Sequence, residues 1–173
     1  MNLAEQFYPG YSVSMNYISD LGATCNSTCN IVQPSSMIFN SSVILLGLTI
    51  ILGAYFVHRA FGAKLLTAFL ILAGVGAMGV GLFPETAGIL HSVFSLITFL
   101  FGGLSAIAAY KIEKSPLNYF SVILGIVTLI ALALYTSSNF LGLGPGGMER
   151  MIAYPALLWG VGLGGHMMQT PLQ

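Results

Sequence analysis

The sequence predicts an all-α integral membrane protein built as a bundle of five transmembrane helices. Of its 173 residues, 56% are apolar and only 6% are charged, whereas about a quarter of the residues in soluble domains are charged. Five apolar runs also reach roughly the 20 residues that a helix needs to cross a bilayer. The five acidic and five basic residues balance. There is therefore no basic tract for nucleic acid, and we exclude that class of partner.

The first four runs have clear boundaries. The first run is uncharged up to His58, and the second lies between Lys64 and Pro84. The third ends at Lys111. The fourth follows Pro116, a residue type that suits the first turn of a helix. These boundaries predict transmembrane helices over residues 37–58, 64–83, 86–111 and 116–138.

The fifth run covers residues 149–168 and is interrupted by Pro155 and several glycines. Both residue types are tolerated in lipid when neighbouring helices satisfy the backbone. We therefore predict a fifth spanning helix with a kink near Pro155. Residues 1–36 then form an extracytoplasmic segment, and residues 169–173 form a cytoplasmic tail.

The distribution of basic residues predicts the orientation of the bundle. One set of loops holds four basic residues, whereas the N-terminal segment and the loops on its side hold only Arg150 against four acids. The positive-inside rule then places the N-terminus outside and the C-terminus in the cytoplasm. No signal peptide is visible in the first thirty-five residues. The N-terminal segment is therefore translocated with the first helix, unless a preceding helix is missing. The four basic residues are Arg59, Lys64, Lys111 and Lys114.

The predicted outer segment contains both cysteines, Cys25 and Cys29. On an oxidising face this short spacing favours a disulfide over a metal site, which needs about four ligands. Asn26 and Asn40 each begin an N-x-S/T sequon. Because Asn40 falls inside the first predicted helix, we expect it to be out of reach of glycosylation.

Small and polar residues predict which helix faces are buried. Ala73, Ala77 and Gly81 recur every four residues, a spacing that lets two helices approach closely in lipid. On the third predicted helix, a stripe of five small or polar residues follows helical spacing and should face the bundle interior. The stripe consists of His91, Ser95, Thr98, Gly102 and Ser105.

Ionisable residues at membrane depth are costly and therefore point to function. Glu85 is predicted to open the third helix, and Glu149 and Arg150 to open the fifth. Their simplest role is helix capping or interfacial anchoring. His91 lies about 9 Å along the helix from Glu85 and is either a buried hydrogen-bonded residue or a functional one. Together with Asp20, these residues fall on the predicted outer side and form a candidate cluster.

The chain carries a series of short motifs that extend over nearly its whole length. They are Tyr8-Pro-Gly-Tyr-Ser12, Tyr17-Ile-Ser19-Asp20-Leu-Gly22, Pro34, Ile38-Phe39-Asn40, Phe83-Pro84, His91-Ser92 and Glu149-Arg150. Together they resemble the prokaryotic domain-of-unknown-function 998 family. The resemblance implies a multi-pass membrane protein, and the family has no assigned reaction. Its pattern usually includes one more hydrophobic helix before the first motif. The Ile-Ser-Asp-Leu-Gly piece is also similar to the opening of DRAM and Frag-type membrane proteins, some of which are tied to lipid or GPI-anchor metabolism.

Two main functions fit these residues. The first is a non-catalytic protein that binds membrane lipids or a protein partner through the outer polar cluster. The second is a membrane-embedded enzyme acting on a lipid head group. In that enzyme His91 would be the general acid or base, Asp20 or Glu149 would orient it, and Arg150 would bind phosphate. No nucleophile elbow or metal-binding triad is visible in the sequence.

A third hypothesis is a b-type haem held by His58 and His166, which the topology places at matching depth at the inner ends of their helices. The sequence favours no particular cofactor. Association of copies of the chain into a homo-oligomer is compatible with the sequence.

Overall fold

The computed structural model describes residues 1–25 and 28–169, and this part of the chain is mostly helical. A short helix and a two-residue antiparallel hairpin come first, and five long helices follow. The elements are α1 (Asn2–Glu5), β1 (Thr24–Cys25), β2 (Cys29–Asn30), α2 (Ser35–Phe61), α3 (Lys64–Leu82), α4 (Ile89–Ala108), α5 (Leu117–Thr136) and α6 (Gly144–Met168).

Four of the described helices are long and apolar enough to cross a membrane, so the chain is a multi-pass membrane protein. They are α2, α3, α4 with the 3-10 turn that extends it to Lys111, and α5. Helix α6 has 25 residues, about 37 Å at the usual helical rise. It is less apolar than the other four and falls outside that group.

The predicted helix ends lie within three residues of the observed ones, but three of the predicted starts are wrong. Helix α2 begins at Ser35, two residues before its predicted start. Helix α4 begins at Ile89, because Gly88 has φ +58° and separates it from a 3-10 turn over Glu85–Ala87. Helix α6 begins at Gly144, five residues before its predicted start. Its free N–H groups at Gly146 and Gly147 donate to the Ser14 carbonyl at 2.9 and 3.3 Å, which satisfies the first turn.

Consecutive long helices pack against each other, and α4 also contacts α6. Glycines allow α2 and α3 to approach closely. A Cβ added at Gly74 would lie 2.8 Å from the Gly47 carbonyl oxygen, and one at Gly81 would lie 2.6 Å from the Asn40 carbonyl oxygen. The predicted packing role of Gly81 is therefore confirmed.

Residues 1–25 and 28–34 fold over one end of the bundle, which we call the covered end. Ala4, Ile18 and Leu21 form a small apolar core there with Phe39 of α2. The hairpin is closed by a disulfide between Cys25 and Cys29. The opposite end, which we call the basic end, carries four basic residues at or near the ends of helices: Arg59 in the last turn of α2, Lys64 at the start of α3, and Lys111 and Lys114 between α4 and α5.

Candidate functional site

Two cavities meet inside the bundle near its covered end. One, which we call the polar cavity, is lined by residues that include Glu85 and His91 and has a volume of about 490 Å³. The other, which we call the apolar cavity, is lined mainly by apolar residues of the long helices and has a volume of about 690 Å³. Ser19, Ser95, Phe99 and Glu149 line both of them. The polar cavity therefore adjoins a longer apolar one at these four residues.

Helix α4 contributes to both cavities through the stripe that the sequence predicts. His91 and Ser95 line the polar cavity, and Ser95, Thr98, Gly102 and Ser105 line the apolar one. The Ser105 hydroxyl is fully buried and has no hydrogen-bond partner among the described residues. The prediction that this stripe faces the interior is confirmed.

His91 is buried at 8% exposure, and its ring is held by the backbone. Its Nδ1 atom lies 2.8 Å from the Phe83 carbonyl oxygen. A carbonyl can only accept, so Nδ1 carries the hydrogen and Nε2 of the neutral ring keeps its lone pair. The backbone therefore sets the orientation of His91, where Asp20 or Glu149 was predicted to do so.

Glu85 lines the polar cavity from the loop before α4 and contacts the N-terminal segment. It accepts hydrogen bonds from the Ser19 hydroxyl at 2.8 Å and from the Cys25 amide at 3.2 Å. Burial raises the pKa of Glu85, and the bond from Ser19 partly opposes that shift. The capping role predicted for Glu85 is wrong, since its carboxylate is bonded across the covered end and caps no helix.

Glu149 lies in the second turn of α6 and is only 5% exposed. One of its carboxylate oxygens accepts a hydrogen bond from the Ile18 amide. Because α6 begins at Gly144, the predicted capping role of Glu149 is wrong. Its position on both cavities places a carboxylate where the polar and apolar cavities join.

Asp20 and Arg150 lie outside the lining of both cavities. The Asp20 carboxylate accepts hydrogen bonds from the Asn16 side chain at 2.9 Å and from the Tyr17 amide at 2.8 Å. Arg150 holds the N-terminal segment against α6. The Arg150 guanidinium donates hydrogen bonds to the carbonyls of Val13, Asn16 and Gly146, the Glu5 carboxylate and the Tyr11 hydroxyl. This geometry gives no support to the phosphate-binding role predicted for Arg150.

The polar cavity contains two aromatic residues that the sequence did not single out as site residues. Tyr17 and Tyr135 both line it, and their rings meet edge to face with centroids 5.9 Å apart. Burial raises the pKa of Tyr17. Tyr17 begins the Tyr17–Gly22 motif, so that motif could have identified it as a site residue. Tyr135 lies in the last turn of the apolar helix α5, and nothing in the sequence pattern of that helix distinguishes it. Ser92, which belongs to the quoted His91-Ser92 motif, lines the same cavity.

Helix α6 leaves open space along the apolar cavity. Gly160 and Gly164 line the cavity, and a Cβ built on either would meet no atom within 4 Å. Gly53 of α2 lines it in the same way. A methyl group at any of these three positions would therefore meet no neighbouring atom.

The remaining sequence hypotheses concern a sequon and two histidines. Asn26 lies outside the described residues. His58 is exposed on α2, while His166 stacks on Phe61 and its Nε2 lies 3.2 Å from the Ile112 carbonyl. This arrangement gives the haem hypothesis no support.

Comparison with known proteins identifies a family. The model of a family described as a protein of unknown function, DUF998, matches residues 2–166. No curated protein and no solved structure matches the chain. The likeness to DRAM and Frag-type proteins is therefore not shown.

Proposed function

We propose, for a chain that belongs to the DUF998 family of proteins of unknown function, that it binds a membrane lipid. The head group occupies the polar cavity, and the hydrocarbon chain occupies the apolar cavity. The observation that carries this proposal is the junction of the two cavities at Ser19, Ser95, Phe99 and Glu149. Both volumes fall within the range typical of ligand pockets, about 300–1,000 Å³.

The position of the site along the bundle supports an amphiphilic ligand. The polar cavity is at the covered end, where Tyr17, Glu85 and His91 supply polar atoms. The apolar cavity continues toward the basic end, as far as Leu163 and Met167 of α6. A lipid in a bilayer has this same polarity gradient, with the head group near water.

We place five helices across the membrane, with the covered end outside and the basic end in the cytoplasm. The positive-inside rule favours this orientation, because the four exposed basic residues lie at the basic end. Helix α6 completes the bundle, and its Glu149 and Arg150 are buried against the N-terminal segment at that outer end.

The proposal is tested by analysing lipid that purifies with the protein. Gly160→Leu should fill the apolar cavity and abolish co-purified lipid. Gly165→Leu is the matched control, since Gly165 lies on the same helix, has open space around it and does not line the cavity. Equal amounts of lipid on both variants and on the wild type would contradict the proposal.

A second candidate function is hydrolysis or transfer at the head group, with His91 as general base. The observation that favours it is the backbone-held ring of His91 at the polar cavity, which Glu85 also lines. A positioned histidine base contributes typically 10²–10⁴-fold to a rate. His91→Gln should then retain bound lipid but stop its turnover. Retention of both binding and turnover in His91→Gln would exclude catalysis by His91.

A further inference from the structure

We infer that the ligand is a lipid with a hydrocarbon chain long enough to pass the bilayer midplane, and with a head group that donates hydrogen bonds. This inference rests on the proposed function and specifies the class of lipid. Three observations carry it: the length of the apolar cavity, its opening at the side of the bundle, and the character of the polar groups at its covered end.

The apolar cavity is longer than one leaflet. Its lining on α2 extends from Phe39 to Val57, and its lining on α6 extends from Glu149 to Met167. Each stretch corresponds to about 27 Å at the usual helical rise of about 1.5 Å per residue. Half of a hydrocarbon core is only about 15 Å. A chain that fills this cavity therefore reaches well into the opposite leaflet.

The apolar cavity is open at the side of the bundle. Leu157 and Val161 of α6 line it and are 37% and 75% exposed. A hydrocarbon chain can therefore enter it directly from the bilayer.

The polar cavity supplies hydrogen-bond acceptors. Glu85 and Glu149 contribute carboxylates, and His91 contributes the Nε2 lone pair. Its described lining contains no lysine or arginine, and the nearby Arg150 is bonded to the N-terminal segment. An anionic phosphate would meet like charge here, because the hydroxyl donors of the lining, such as those of Tyr17 and Ser95, carry no positive charge. A hydroxyl or ammonium head group would find acceptors.

Trp159 provides a built-in probe, because it is the only tryptophan of the chain and lines the apolar cavity. It lies ten residues after Glu149, about 15 Å along α6. Three straight-chain primary alcohols, brominated at the terminal carbon, serve as the short, middle and long probes. Their extended lengths are about 8, 15 and 25 Å, the last approaching the thickness of a hydrocarbon core. Contact with bromine quenches tryptophan emission, and the unlabelled alcohols compete for the same cavity.

We expect the middle probe to quench Trp159 most strongly and the short probe not to reach it. The unlabelled long alcohol should displace the middle probe at a concentration at least about tenfold lower than the unlabelled middle alcohol does, because the shorter chain leaves part of the cavity empty. Amines of the same lengths should behave as the alcohols do. The matching alkyl phosphates should compete at least about tenfold more weakly, because their negative charge is repelled by the carboxylates that line the site.

Leucine substitutions at glycines of α6 test where the hydrocarbon chain of the lipid lies. Gly164 lies fifteen residues after Glu149, about 22 Å along α6. Gly164→Leu should keep quenching by the middle probe but remove the advantage of the long alcohol. The control Gly165→Leu should keep both. Gly160→Leu, next to Trp159, should abolish quenching altogether.

Each outcome bears on a separate claim. Cavity-dependent quenching with equal competition by the middle and long alcohols would overturn the long-chain inference and leave lipid binding standing. Strong competition by phosphates would overturn the head-group inference. Quenching that is absent at every length, or unchanged in Gly160→Leu, would overturn lipid binding itself. Crosslinking between copies through Gly53→Cys, without quenching, would assign the cavity to a second copy of the chain and overturn the inference.

Discussion

Replacing Arg150 by lysine should release the N-terminal segment from α6 and leave the helical bundle folded. The guanidinium is 6% exposed and donates to five acceptors, four of which lie before residue 18. It is thus the main polar link between that segment and the last helix. The salt bridge to Glu5, at 3.2 Å, belongs to the same set.

The size of the effect follows from the number of donors. An ammonium offers three donors from one point, whereas the guanidinium presents a planar fork. At least two of the five acceptors would lose their partner in Arg150→Lys. Hydrogen bonds to charged groups contribute about 1.5–3 kcal/mol each, so the segment should lose about 3 kcal/mol or more. That loss corresponds to an increase of about 100-fold in the population of the detached segment.

Hydrogen exchange measures this population directly. The backbone amides of residues 11–18 should exchange about 100-fold faster in Arg150→Lys, while those of α3 keep their wild-type rates. Arg59→Lys is the matched control, because Arg59 is exposed and donates one hydrogen bond, to the Tyr55 hydroxyl at 3.2 Å. Unchanged exchange of residues 11–18 in Arg150→Lys would refute the assignment of Arg150 as the link.

Three further predictions concern the covered end and the orientation of the bundle. Because the pKa of Glu85 is raised in the fold, the folded state binds its proton more tightly than the unfolded state does. Stability should therefore fall as pH rises above about 4.5, and Glu85→Gln should flatten a plot of melting temperature against pH. An identical slope in the variant would contradict this. Replacing both Cys25 and Cys29 by serine should cost about 2 kcal/mol, because the closed loop is short. Two alkylatable thiols in unreduced wild-type protein would show instead that the bond is not made. An impermeant thiol reagent should label Ser138→Cys in intact cells and Ser115→Cys only after the membrane is opened, and the reverse pattern would invert the orientation.

Sequence reasoning succeeded where the cause of the structure is local. The apolar runs that became α2, α3, α4 and α5 are visible because lipid-facing helices need continuous apolar length. The stripe from His91 to Ser105 was also found, because helical spacing alone fixes which side chains share a face.

Sequence reasoning failed where partners come from distant parts of the chain. The run from Gly144 to Gly147 resembles a flexible loop, yet it forms the first turn of α6 because Ser14 accepts its N–H groups. Glu149 looked like a helix cap because that early turn was invisible. Its partner, the Ile18 amide, is 131 residues away.

The cavities could not be predicted at all, because they depend on how far apart α2 and α6 come to rest. The polar residues alone suggested a single cluster containing Asp20 and Arg150. The structure divides that cluster into a cavity lining with Glu85, His91 and Glu149 and a separate bonding network that anchors the N-terminal segment.

The bond between Ile18 and Glu149 has a consequence for biosynthesis. The two residues are 131 positions apart, so a ribosome working at roughly 5–20 residues per second makes the second about 7–26 s after the first. During that interval the carboxylate that joins the two cavities does not exist, and the early segment packs on α2 without its bonds to α6. The binding site that we propose is therefore completed only when the last helix has been synthesised. A nascent chain stalled before α6 would contain the four apolar helices but would lack the α6 side of both cavities.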